Sequence, residues 1–238
     1  RGFLIGATAG RTTLTGEGTQ HMDGHSTVLA ATNPAVVQYD PAYGYEIAHI
    51  MQDGLQRMYG ENPEDVIYYL TVYNEPMVQP REPEDVDVEG IKRGMHLVSK
   101  GNSEGMADDA KHVQLMASGV GVSWALEAQR LLRDDWGVIA DVWSVTSWTE
   151  LRRDAMAVDE SRFLHPETEV ADPWLVQKLA DAPGPVIATS DYMKQNQDQI
   201  AQWVPGDFAS LGADGFGFSD TRAAARRFFH IDGPSMVV

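Results

Sequence analysis

His21-Met22-Asp23-Gly24-His25 is the densest polar cluster in the sequence. A metal site here requires both imidazoles on one helical face, four residues apart. Gly24 inside the cluster, with Gly10, Gly16 and Gly18 before it, works against a helix. The cluster therefore reads as a loop, either a plain surface loop or an active-site loop. Loops rich in glycine and histidine place imidazoles near ligands and titrate near neutral pH. An imidazole so placed donates to a developing oxyanion or shuttles a proton. Asn74-Glu75 is a second candidate, because it follows a buried apolar strand at its carboxyl end, where open α/β sheets bind ligands. A structural role for that pair weighs equally.

Other patterns read as structure. Gly119-Val120-Gly121 follows a strand like part of a dinucleotide fingerprint, but the third glycine is missing and Ala125 stands near its place. A tight strand-to-helix turn explains it better. The Asp214-to-Gly217 stretch is read as a structural turn in preference to an anion nest. Arg226-Arg227 reads as a solvated helix end. The acidic run Glu82, Glu84, Asp85, Asp87 and Glu89 reads as a solvated linker, and the six tryptophans as core or interface packing.

These residues must be positioned by alternating strands and helices. Residues 35–39 form a strand. Asp40-Pro41 predicts a helix start, with the aspartate as cap, and the helix closes at Gly60. Residues 66–73, apolar on both faces, form a strand covered on both sides of a parallel sheet. After a proline-rich, acidic stretch the chain alternates strands near 112–117, 138–145, 185–189 and 208–211 with helices. One helix starts at the capping box Ser147-Trp148-Thr149-Glu150 and runs to about Met156. Residues 157–173 read as irregular, 174–179 and 191–203 as helices, and 221–229 as a last helix. The expected fold class is α/β with mostly parallel sheets.

The chain has 238 residues, 18 Lys+Arg against 35 Asp+Glu, and a net charge of −17. That balance argues against nucleic acid and anionic membrane surfaces as partners. The absence of cysteine excludes disulfides, thiolate metal sites and a cysteine nucleophile, and suits a reducing compartment. No stretch approaches the roughly 18 apolar residues of a membrane span. The opening Arg1-Gly2 and the apolar close Ser235-Met236-Val237-Val238 suggest a piece of a longer chain.

Residues 10–26, from Gly10-Arg11-Thr12-Thr13-Leu14 through Gly16-Glu17-Gly18-Thr19-Gln20-His21 to Ser26, resemble the homodimeric bacterial pyruvate dehydrogenase decarboxylating subunit of the transketolase-like family. So do Tyr39-Asp40-Pro41-Ala42-Tyr43, Ser144-Val145-Thr146-Ser147, Asp191-Tyr192-Met193-Lys194 and Asp214-Gly215-Phe216-Gly217. Tyr73-Asn74-Glu75-Pro76 and Asp141-Val142-Trp143 resemble the actinobacterial branch. The resemblance implies thiamine-diphosphate- and Mg²⁺-dependent decarboxylation of pyruvate, with transfer of the two-carbon unit to lipoyl groups of the dihydrolipoyl acetyltransferase core. It implies a homodimer in the bacterial cytoplasm. It implies domains at 1–80 (end of the middle, pyrimidine-side domain) and 111–238 (transketolase carboxyl-terminal type), with an acidic linker at 81–110. The family's Gly-Asp-Gly…Asn motif for diphosphate and Mg²⁺ is absent from this sequence, so no cofactor-binding or metal residue is assigned and this chain alone is expected to be inactive. His21 matches the histidine that faces the substrate oxygen. Asp23, His25, Asn74 and Glu75 remain secondary candidates. The alternatives are a non-catalytic dimerisation module, or a transketolase or other 2-oxo-acid dehydrogenase relative.

Overall fold

In this computed structural model, which describes residues 1–7, 9–14 and 19–238, a parallel sheet and a mostly parallel sheet meet end to end. The first sheet comprises β1 (Gly2–Gly6), β2 (Val36–Tyr39) and β3 (Ile67–Thr71), in the order β1-β3-β2 and wholly parallel. Helices α1 (Ser26–Ala31) and α2 (Gly44–Tyr59) connect these strands. Ile50 and Met58 of α2 pack with Val37, Tyr39, Tyr68 and Leu70 into one core.

Next come α3 (Val88–Arg93), β4 (His96–Ser99), β5 (His112–Ala117), α4 (Gly121–Trp136), β6 (Ile139–Ser144), α5 (Trp148–Leu164) and α6 (Trp174–Leu179). They are followed by β7 (Val186–Thr189), α7 (Gln195–Asp198), β8 (Phe208–Leu211), α8 (Arg222–Phe228) and α9 (Gly233–Met236). The second sheet runs β4-β6-β5-β7-β8, with only β4 antiparallel. Two apolar clusters hold it. One gathers Trp124, Ala125 and Ala128 of α4 with Leu115 and Val142; the other gathers Trp148 and Leu151 of α5 with Met116 and Val186. The mixed α/β class with mostly parallel sheets is as the alternation predicts. Most tryptophans serve the core, but Trp136 is exposed.

Four local expectations fail, each for a physical reason. Asp40 does not cap α2, which begins at Gly44. Glu46 caps it instead, its Oε2 accepting from the backbone N–H of Ala42 (2.6 Å) and Tyr43 (3.1 Å). The stretch 81–110 is not all linker. It carries α3, with Ile91 fully buried, and β4, and Met95 between them is also fully buried. Its acids are partly structural: Asp87 caps α3 through the Gly90 N–H (2.9 Å) and meets Lys178 at 2.6 Å. α5 runs eight residues past Met156 to Leu164; Phe163 and Leu164 at its end are exposed, so no apolar stripe signals the extension. The Asp191-to-Trp203 stretch is not one helix but α7 and a 3-10 turn (Ala201–Trp203), because Asp191 is held by partners far away in sequence.

The carboxyl ends of the two sheets are stitched together. The Asp40 N–H donates to the Thr146 carbonyl (2.7 Å), and the Gly119 N–H donates to the Asp40 carbonyl (3.0 Å). Ser147 Oγ donates to the Gln38 carbonyl at 2.5 Å. Gly119 adopts φ +53°, and a Cβ there would lie 2.4 Å from the Tyr73 hydroxyl. Gly119→Ala is therefore expected to cost about 2 kcal/mol or more in urea unfolding, since both strain and a clash result. A loss below about 0.5 kcal/mol would show that the two sheets do not approach as described.

Candidate functional site

The two buried carboxylates at the junction, and the hydroxyls around the first of them, stand at or just past the carboxyl ends of strands. Asp40 follows β2, Ser118 follows β5, Thr71 ends β3 with Tyr73 two residues on, and Asp191 follows β7. Apolar strand interiors bury these ends, so the side chains there must satisfy each other. Asp40 is fully buried and, among the described residues, pairs with no cation. Its Oδ1 accepts from Thr71 Oγ1 (2.7 Å) and Tyr73 Oη (2.6 Å), and its Oδ2 from Ser118 Oγ (2.6 Å). Burial raises its pKa to about 6 against the pull of these three hydroxyl donors. Burial, then the nearby Asp40, pushes the Tyr73 phenol well above its ordinary range.

Asp191 is the second buried carboxylate. Its Oδ1 accepts from the N–H (3.0 Å) and hydroxyl (2.6 Å) of Thr12, and its Oδ2 from the N–H (3.0 Å) and hydroxyl (2.6 Å) of Thr13. Burial raises its pKa as well. On the other side of the two threonines lies Arg226, 3.4 Å from Thr12 Oγ1 and 3.3 Å from Thr13 Oγ1. Arg226 also makes a two-pronged contact with Glu75 and sits over the Trp124 ring at 4.7 Å. Arg222 donates to the Thr13 carbonyl at 2.8 Å. The expectation that Arg226 is solvated is thus corrected: its side chain is 11% exposed, whereas Arg227 is 60% exposed and pairs with Asp232. Glu75 has a structural partner, and Asn74 is exposed.

The clamped segment 9–14 leads toward the histidine cluster. Residues 15–18, including Gly16 and Gly18, lie outside the described residues, as does Thr8. His21 ends a 3-10 turn (Thr19–His21) and is exposed. Met22 is buried with its side chain against Gly217, where a Cβ would meet its sulfur at 2.3 Å. Asp23 closes the next turn onto α1. It accepts from the N–H of His25 (3.1 Å) and Ser26 (2.9 Å) and from Ser26 Oγ. Ser26 Oγ in turn accepts from Tyr69 Oη at 2.9 Å. The His25 ring is exposed and makes no capping hydrogen bond. Gly24 is pressed onto Arg11: a Cβ would stand 1.9 Å from its guanidinium. Burial holds the Arg11 pKa below its ordinary value, opposed by Asp23, Asp191 and Asp214. Gly119-Val120-Gly121 is the tight turn into α4, and Asp214 Oδ1 accepts the Lys194 N–H at 2.9 Å.

Asp23, His25 and Ser26 are therefore brought together by the start of α1, and His21 stands one turn before them on a loop pinned at both sides by Met22 and Thr13. An exposed imidazole on a pinned loop can donate to, or take a proton from, a ligand oxygen. The described residues do not fit a diphosphate–metal site: no three His, Asp or Glu side chains gather to hold a cation, and Asp40 and Asp191 are already saturated by hydroxyls and amides.

A parallel and a mostly parallel sheet joined at the carboxyl ends of their parallel strands, with a pinned histidine loop beside the joint, define a transketolase-type architecture. The family profile of the transketolase-like carboxyl-terminal domain matches residues 94–232, and that of the pyruvate dehydrogenase E1 component middle domain matches residues 1–80. The chain belongs to the transketolase-like family, whose carboxyl-terminal domain profile covers more than half of it. It is 58% identical over its whole length to the pyruvate dehydrogenase E1 component of Mycolicibacterium smegmatis, 55% to that of Mycobacterium tuberculosis and 46% to that of Escherichia coli K12. It spans about a quarter of the length of these relatives (25%, 25% and 26%). Among solved structures, transketolase from Campylobacter jejuni superposes with a TM-score of 0.64 at 16% identity, covering 99% of this chain and 30% of that one. Transketolase from Leishmania mexicana gives 0.61 at 16%, covering 98% and 28%.

The raised pKa of Asp40 has a signed consequence. The native carboxyl keeps its proton up to about pH 6, the unfolded one only to about 3.8, so folding binds a proton between these values. The stability of the wild type relative to Asp40→Asn is expected to fall by about 3 kcal/mol as pH rises from below 4 to above 6, and then to level off. Urea unfolding of both proteins across that range checks this. A gap independent of pH would mean that the Asp40 pKa is the same in the folded and unfolded chain.

Proposed function

We propose that this chain works as part of a pyruvate dehydrogenase decarboxylating subunit, which oxidatively decarboxylates pyruvate and passes the acetyl unit to lipoyl groups of an acetyltransferase core. The observation that carries this reading is the unbroken likeness, over all 238 residues, to proteins named pyruvate dehydrogenase E1 component. The reading places the subunit in the bacterial cytoplasm as a homodimer. It assigns residues 1–80 to the end of a middle domain and 111–238 to a carboxyl-terminal domain. Thiamine diphosphate and Mg²⁺ belong to the reading as cofactors of the whole subunit, held mainly by residues other than those of this chain.

In this reading His21 is the catalytic residue that the chain contributes. Addition to the carbonyl of pyruvate builds negative charge on oxygen, and an imidazole N–H placed beside it stabilises that charge. The surrounding residues position the ring. Met22 anchors one side against Gly217, Asp23 ties the other to α1, and Thr12 and Thr13 hold the approach to the loop on Asp191. His25, Asn74 and Glu75 take secondary places: His25 at the exposed start of α1, Glu75 as the anchor of Arg226, and Asn74 exposed beside it.

In the complete subunit that carries this sequence, His21→Ala is expected to lower pyruvate turnover about a hundredfold, the scale of a lost oxyanion donor, with urea stability unchanged. A decrease below about threefold would remove His21 from the chemistry. The chain on its own is expected to show no thiamine-diphosphate-dependent release of CO₂ from pyruvate, and turnover by it would overturn the division of labour proposed here.

A further inference from the structure

The histidine loop is held from two sides, and the two holds are unequal. On the side of the second sheet three contacts grip it. Thr12 and Thr13 are bound to Asp191, Met22 lies against Gly217, and the Gly24 carbonyl accepts the Met193 N–H at 2.8 Å. On the side of the first sheet, one hydrogen bond among the described residues reaches the turn at 22–26: Tyr69 Oη donates to Ser26 Oγ at 2.9 Å.

The fold is built to deliver that hydroxyl. β3 is the middle strand of the first sheet, and Tyr69 is paired with Leu4 on β1 and with Gln38 on β2. Its neighbours Tyr68 and Leu70 point into the core with Ile50 and Met58 of α2. Strand alternation therefore turns Tyr69 to the opposite face, toward the start of α1. Gly6, at the end of β1, leaves room for it: a Cβ there would stand 2.9 Å from Tyr69 Oη. Burial raises the Tyr69 pKa, so the phenol keeps its proton to donate.

The bond continues toward the histidine. Ser26 Oγ has one proton and gives it to Asp23 Oδ2, so it is free only to accept from Tyr69. Phenol, hydroxyl and carboxylate thus form a chain that runs one way, and each bond in such a chain polarises the next. The other Asp23 oxygen accepts the N–H groups of His25 and Ser26. Asp23 stands two residues past His21, so at most about 7 Å of chain separates their Cα atoms. Met22 between them is buried, which leaves little slack.

We propose that Tyr69 is a positioning residue for the chemistry assigned to His21. Through Ser26 and Asp23 it fixes the imidazole relative to the first sheet, as Asp191, Gly217 and Met193 fix it relative to the second. This rests on the reading of His21 given above. A ring fixed to one sheet alone would drift out of register with groups carried by the other, and a misplacement of about 1 Å costs up to about a hundredfold in rate.

The test is a double-mutant cycle in the complete subunit that carries this sequence, with pyruvate turnover measured per mole of folded protein. Tyr69→Phe removes the hydroxyl and keeps the ring. It is expected to lower kcat about tenfold and to change KM less than about twofold, because it disturbs the placement of the imidazole and not the binding of substrate. In a His21→Ala background the same change is expected to cost less than about twofold, since no imidazole is left to place. Ser26→Ala breaks the chain at its middle and is expected to follow Tyr69→Phe in both backgrounds. The proposal is overturned if Tyr69→Phe or Ser26→Ala leaves kcat within about twofold of wild type, or if either costs the same in both backgrounds, as a general structural defect would. A His21→Ala loss below about threefold would instead overturn the reading of His21 itself, and the proposal with it.

Discussion

The structure depends on a buried carboxylate that is held by hydroxyl groups. Asp40 stands where β2 ends, wholly out of water, and three hydroxyls from β3, from its outgoing strand end and from the turn after β5 close around it. A carboxylate in such a place is expensive unless every lone pair is used. Here the donors come from both sheets, so the sheets cannot part without exposing a half-paired acid or leaving hydroxyls unmatched. Asp191 repeats the device a few residues past β7, and there the donors are two consecutive threonines and their amides. The junction of the two sheets is thus a polar seam bounded by apolar cores, a combination that fixes one geometry more sharply than apolar contact alone.

The seam also explains why the histidine loop is held where it is. Thr12 and Thr13 are gripped between the negative Asp191 and the positive Arg226, which is itself held by Glu75. A short distance later the chain is pinned again, by Met22 on Gly217 and by Asp23 at the start of α1. Between these clamps the chain carries His21 to the surface. Loops placed at the carboxyl ends of parallel strands are where α/β folds put their chemistry, because the strands give a rigid base and their ends leave polar groups to spare.

Much of this was legible in the sequence. Strands β5, β6, β7 and β8 and helices α4 and α6 follow from apolar runs closed by glycine, proline or a cap, and the structure places them within a residue or two. The histidine cluster was legible as a loop because glycines surround it. The seam was not legible, because its pairs are distant in the chain: Thr12 and Asp191 are 179 residues apart, and Glu75 and Arg226 are 151 apart. Asp40-Pro41 spells a helix start locally, and only the fold reveals that the carboxylate is taken elsewhere. Arg226 looks like any basic residue at a helix end until Glu75 and Trp124 are brought to it. One signal was available: Asp40, Ser118 and Asp191 all follow apolar strand runs, the same position that marked Asn74-Glu75 as a candidate.

Native-state hydrogen exchange tests the role of the seam most directly. The amides of Asp40, Thr12, Thr13 and Gly119 cross the junction, bonded respectively to Thr146, Asp191, Asp191 and Asp40. If the seam unites the two sheets, these amides exchange only with the slowest amides of β3 and β5, through one common opening. Exchange of the junction amides far faster than that of the strand interiors would contradict this, showing two sheets that open independently and a histidine loop held by one of them alone.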